Sequence, residues 1–118
     1  MARPLRLEFE NALYHITTRG NERRPIFYED RDYETFLKFL AAAVKRFGWS
    51  LTVYTLMTNH YHLVIQTPKP NLSKGMHWLN SKYANWFNRR HKRVGHLFQG
   101  RFGAEIVEMD VYLRNLIR

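Results

Sequence analysis

Apolar positions change period several times along this chain. Leu13 to Thr18 (LYHITT) is rich in β-branched and aromatic residues and predicts a strand. Arg19-Gly20-Asn21-Glu22-Arg23-Arg24-Pro25 follows as a basic loop. Tyr33, Phe36, Leu37, Leu40, Val44 and Phe47 then recur at helical spacing, with Asp30 or Asp32 as the cap and Gly48 as the stop. Ser50 to Met57 and His60 to Thr67 predict two strands, and Thr58-Asn59 alone between them predicts a tight hairpin. Ser73 caps a second helix running to about His91. Its apolar stripe is Met76, Leu79, Tyr83, Trp86 and Phe87, and its other face carries Lys74, Lys82, Arg89 and Arg90. Gly95 to Val107 predicts a fourth strand, bent at Gly100 and Gly103. Asp110 caps a third helix containing Val111, Leu113, Leu116 and Ile117.

The resulting order, βαββαβα, predicts an α+β fold. It is a ferredoxin-like antiparallel sheet with helices packed on it, in a single domain spanning residues 1–118. No apolar run is long enough to cross a bilayer, and the N-terminus carries no signal-peptide pattern, so a cytoplasmic protein is expected. The absence of cysteine excludes disulfides, thiolate metal sites and cysteine nucleophiles.

Charge narrows the class of partner. The net charge is +9, and all ten carboxylates lie in two blocks, Glu8 to Glu34 and Glu105 to Asp110. The acid-free stretch between holds eleven of the nineteen lysines and arginines. Either the protein is simply basic and well solvated, or this stretch faces a polyanion. Aromatic residues within it (Trp78, Tyr83, Trp86, Phe87, Phe98, Phe102) read either as core or as stacking platforms for an unpaired nucleic-acid strand.

His60-Tyr61-His62 is the sharpest local feature. On a strand, positions i and i+2 share a face, so both imidazoles aim one way and Tyr61 the other. Such a pair suits a divalent metal, or is simply a polar pair on the outside of a hairpin. No carboxylate lies nearby in sequence, so a metal here would keep positions open for water and phosphate oxygens.

The run Leu56 to Val64 (LMTNHYHLV) resembles the HUH motif of the prokaryotic single-tyrosine transposases, most closely the REP-associated tyrosine transposases of the IS-like family. Ala12 to Asn21 resembles that family's first strand and loop. Asn71 to Met76 and Tyr83 to His91 resemble the two ends of its second helix, and Gly95 to Phe102 the strand that follows. The resemblance implies a ferredoxin-like sheet and breakage and rejoining of single-stranded DNA near a hairpin. It implies His60 and His62 as ligands of Mg2+ or Mn2+, which polarises a scissile phosphate oxygen. A tyrosine on the last helix would form a 5′-phosphotyrosine link. Arg19, Arg23, Arg24, Arg89, Arg90, Lys92, Arg93 and Arg101 are expected on DNA phosphates, with a solvated surface role as the alternative for each. His15, on the neighbouring strand, either lines the site or is a buried, hydrogen-bonded histidine, the second being the reading preferred from sequence.

The chain departs from the family at its end. The family's tyrosine lies in Arg-Tyr-x-x-x-Asn-Pro, and Arg118, matching the arginine before it, is the last residue. Tyr112 is two turns earlier, displaced by roughly 10 Å along a helix axis, and reads as a packing residue. The expectation is a truncated form that binds DNA and metal, has lost most cleavage, and could associate through its shortened last helix. A non-catalytic DNA- or RNA-binding module is the alternative. A zinc hydrolase drawing on Glu105 or Glu108 is a third reading.

Overall fold

The computed structural model describes residues 8–107. The predicted third helix, with Tyr112, and the chain end at Arg118 therefore lie outside the described residues. The described elements are β1 (Ala12–Arg19), a 3₁₀ turn (Asn21–Arg23), α1 (Asp30–Phe47), β2 (Ser50–Met57), β3 (His60–Thr67), α2 (Leu72–His91) and β4 (Gly103–Val107). The strands form one antiparallel sheet in the order β2-β3-β1-β4, the arrangement of a ferredoxin-like sheet.

Alternation along the two central strands decides which face is covered. Tyr14 and Ile16 of β1 and Tyr61, Leu63 and Ile65 of β3 are buried, together with Phe36, Leu40 and Ala43 of α1 and Met76, Leu79, Tyr83 and Phe87 of α2. Both helices therefore pack on one face. The intervening residues, His15 and Thr17 on β1 and His60 and His62 on β3, are half-exposed on the other. Each large side chain buried between sheet and helices contributes on the order of 1.5–3 kcal/mol. A one-residue slip of either strand would turn the histidines into this core.

The register brings the half-exposed residues into rows. Thr17 pairs with His62 and Arg19 with His60. Across β3, Thr55 pairs with His62 and Met57 with His60, and across β1, His15 pairs with Glu105.

Several sequence expectations need correction. Helix α1 starts from Glu29 rather than Asp30 or Asp32; Asp32 completes a reciprocal capping box as the third helical residue. Helix α2 starts after Asn71 rather than Ser73, and the Asn71 side chain is engaged with the Trp49 indole and the Phe47 carbonyl. The fourth strand covers Gly103–Val107 alone. Residues 95–102 are irregular because Gly95 and Gly100 take positive φ, which interrupts an extended run, and Phe98 retains a single bridge to Gly20. Gly103 itself sits in the strand and is no kink. Trp78, Tyr83, Trp86, Phe87, Phe98 and Phe102 belong to the core or pack against it.

Candidate functional site

Thr58 and Asn59 form the turn between β2 and β3, and the loop after β1 is fastened to it. Gly20 donates its N–H to the Asn59 carbonyl at 2.8 Å, Ile26 donates to the Thr58 carbonyl at 2.8 Å, and the Asn59 side-chain amide donates to the Arg23 carbonyl at 3.3 Å. A Cβ at Gly20 would run into the Arg24 carbonyl, so the loop closes this tightly because that residue is glycine. These contacts bring Arg19 and Arg23 to the start of the His60-x-His62 strand.

A cleft of about 230 Å³ results, lined by Thr17, Arg19, Arg23, Asn59, His60 and His62. It adjoins a hollow of about 530 Å³ whose lining includes His15, Gln99, Arg101 and Glu105, and the two share Thr17 and Arg19. A larger cavity, about 570 Å³, lies elsewhere, between α2 and residues 95–102, and none of the cleft's residues lines it.

The two imidazoles are held at their Nδ1 atoms. His60 Nδ1 lies 2.8 Å from Asn59 Oδ1. His62 Nδ1 lies 3.1 Å from Thr17 Oγ1 and 3.2 Å from His15 Nε2. The His60 and His62 rings are perpendicular with centroids 5.1 Å apart. Burial lowers the pKa of His62 from its ordinary value, and the neighbouring His15, His60 and Arg19 lower it further. The neutral ring, with a lone pair to offer, is thereby favoured.

Of the predicted DNA-contacting residues, Arg19 and Arg23 line the cleft, and Arg101 lines the adjoining hollow. The others do not gather there. Arg24 pairs with Glu22 at 3.6 Å, and Arg90 pairs with Glu29 at 2.8 Å. Arg93 donates to the Tyr28 hydroxyl at 3.0 Å and lies over the Phe87 ring, while Arg89 and Lys92 are exposed at the end of α2. His15 is hydrogen-bonded but half-exposed on the open face, so it lines the site, against the preference for a buried core histidine. The sequence reading missed Thr17 and Asn59. The parity of Thr17 with His15 on one strand was an available signal for the first.

A second group of metal-compatible side chains lies away from the cleft. Among the described residues, Glu29, Asp32 and His91 form the group of three or more whose ligand atoms come within 4.8 Å of one another. Its atoms are already committed. Asp32 Oδ2 accepts from the Tyr28 and Glu29 N–H groups at 2.7 and 3.2 Å, and both Asp32 oxygens lie 2.9 Å from His91 Nε2. This group locks the start of α1 to the end of α2.

Residues 8–117 match the sequence profile described as "Transposase IS200 like". The chain belongs to the IS200-like transposase family. Among solved structures, it is similar to a REP-associated tyrosine transposase bound to a REP hairpin, with a TM-score of 0.75 and 13% identity over 99% of this chain and 68% of that one. It is also similar to a candidate transposase from Deinococcus radiodurans R1, with a TM-score of 0.67 and 14% identity over 98% of this chain and 94% of that one. A sequence comparison with curated proteins finds no match. These structural likenesses agree with the mixed α+β fold and its four-stranded antiparallel sheet. Among the described residues, no helix is long and apolar enough to cross a membrane.

The donor set of the cleft fits the divalent ion that the transposase fold implies. Two imidazoles with their Nδ1 atoms engaged leave the Nε2 atoms for a metal, and among the described residues no carboxylate lines the cleft. The cations Arg19 and Arg23 beside them suit an anionic oxygen as a further ligand.

Proposed function

We propose that this transposase domain binds single-stranded DNA bearing a hairpin and places a phosphate of the unpaired strand against His60 and His62. The observation that carries this reading is the cleft itself: two histidines and two arginines meet on the open face of the sheet, and among the described residues no acid lines the cleft. His60 and His62 would hold Mg2+ or Mn2+ through Nε2. A bound ion supplies Lewis-acid polarisation of a phosphate oxygen. Arg19 and Arg23 would bind and orient the phosphate, and Arg101 the strand beyond it; such contacts position DNA without reading its sequence. The paired and distal cations, Arg24, Arg89, Arg90, Lys92 and Arg93, would contribute to the general attraction of the duplex.

Strand breakage in this reading needs a tyrosine hydroxyl at the phosphate. Among the described residues, no tyrosine lines the cleft. Tyr61 and Tyr83 point into the core, where burial pushes their phenols far above the ordinary range. In this reading the attacking hydroxyl comes from outside the described residues.

The test mixes the chain with labelled hairpin-bearing single-stranded DNA and Mn2+, and runs native and denaturing gels side by side. The reading expects a native shift weakened by His60→Ala. A denaturation-resistant adduct would support the strand-breaking part of the reading and place its nucleophile within the chain. Absence of any shift would overturn the DNA-binding part. A shift indifferent to metal and to His60→Ala would leave the non-catalytic module.

A further inference from the structure

The open face of the sheet carries two facing pairs: His60-x-His62 on β3 and His15-x-Thr17 on β1. Antiparallel register puts Thr17 directly opposite His62, and His15 one row further along. Both aim at a single atom. His62 Nδ1 lies 3.1 Å from Thr17 Oγ1 and 3.2 Å from His15 Nε2, and the His15 and His62 rings are parallel within 8°. Two imidazole nitrogens at that separation cannot both present lone pairs; one of them carries the proton. A hydroxyl beside them can accept or donate.

We propose that His15 and Thr17 are positioning residues that accept the Nδ1 proton of His62, fixing its tautomer and turning its Nε2 lone pair into the cleft. This rests on the reading of His62 as a metal ligand, but the tautomer is a property of the metal-free protein as well. An imidazole that binds metal through one nitrogen must carry its proton on the other, and the acceptor of that proton orients the ring and raises its basicity. His60 is braced differently, by the Asn59 side-chain carbonyl at 2.8 Å, which is purely an acceptor and forces the proton onto His60 Nδ1. With His15 and Thr17 accepting, both histidines present the same nitrogen. If either donated to His62 Nδ1 instead, His62 would carry its proton on Nε2 and be lost as a ligand there. The brace depends on the packing of β1 against β3 and not on the loops, so it is built into the sheet before any ligand arrives.

The test is a long-range 1H–15N NMR spectrum of histidine-labelled, metal-free chain, joined to Mn2+ titration followed by electron paramagnetic resonance. The proposal expects the His62 proton on Nδ1 in the unaltered protein. Thr17→Val and His15→Ala should shift it toward Nε2, and together they should weaken Mn2+ binding by about 10–100-fold. Thr17→Ser and His15→Gln, which keep an acceptor, should restore both readouts. Backbone amide spectra report whether each variant stays folded. A His62 proton found on Nε2 in the unaltered protein would overturn the proposal, as would a tautomer indifferent to all four variants. Failure of the metal reading shows differently: the unaltered protein would bind no Mn2+, or His60→Ala would leave binding intact, while the tautomer measurement would still decide the brace.

Discussion

The Tyr61 hydroxyl donates a hydrogen bond to the side-chain carbonyl of Asn80, nineteen residues on in α2. Tyr61 is the residue between the two histidines, and it is completely buried. One strand position thus anchors the motif to the helical layer, while its neighbours on either side face the cleft. Tyr61→Phe keeps the ring in the core but leaves Asn80 Oδ1 without this donor. Loss of about 1–2 kcal/mol is expected, measured by chemical denaturation. The histidine NMR signals should stay close to those of the unaltered protein, since the ring still fixes the strand.

The arginines at the cleft and those elsewhere should separate by salt dependence. Arg19→Ala and Arg23→Ala should each reduce the slope of log affinity against log salt by about 1, as expected for loss of one phosphate contact. Arg90 is paired with Glu29, so Arg90→Ala should change the slope less. Fluorescence anisotropy of a labelled hairpin oligonucleotide at several salt concentrations measures this. Equal slopes for all three variants would mean that DNA lies across the end of α2 as much as across the cleft.

Asp32 is fully buried, and its carboxylate accepts from two backbone N–H groups and lies against His91. Asp32→Ala removes the capping box of α1 and strands those donors. A loss of about 1–3 kcal/mol is expected, with an unchanged Mn2+ titration. A loss of Mn2+ binding in this variant would instead mark Glu29, Asp32 and His91 as the metal centre.

His62 should titrate below the ordinary histidine value of 6.5, because burial and then the neighbouring His15, His60 and Arg19 oppose its charging. Above the ordinary value the ring is neutral in both folded and unfolded chains. As pH falls below it, the unfolded chain takes up a proton first, so stability declines until the folded pKa is also passed. Carbon-13 NMR of labelled histidines in the metal-free protein follows the titration directly. A His62 that charges at or above the ordinary value would contradict the crowded, desolvated cleft.

Much of this arrangement was legible in the sequence, and the reasons are specific. The two-residue gap at Thr58-Asn59 gave the hairpin, and parity along His60-Tyr61-His62 gave the split between cleft and core. Helical spacing gave α1 and most of α2. The helix starts were misplaced because caps depend on which side chain folds back: Glu29 does so for α1 although Asp30 and Asp32 are better caps by residue type, and Asn71 starts α2 with its side chain turned to Trp49 and Phe47 instead. The irregular 95–102 segment was read as strand because its aromatic residues mimic one; they are apolar there because Leu97 and Phe102 are buried in the core and Phe98 packs against it. The brace on His62 was beyond local reading, because Thr17 and His62 are brought together by register across forty-five residues.

The central claim, a divalent ion held by His60 and His62, is tested most directly by anomalous scattering from crystals of the chain soaked in Mn2+. A difference peak bonded to the Nε2 atoms of both histidines, absent in His60→Ala, is the predicted result. A peak at Glu29, Asp32 and His91 with none at His60 and His62, or no peak at all at saturating Mn2+, would contradict it.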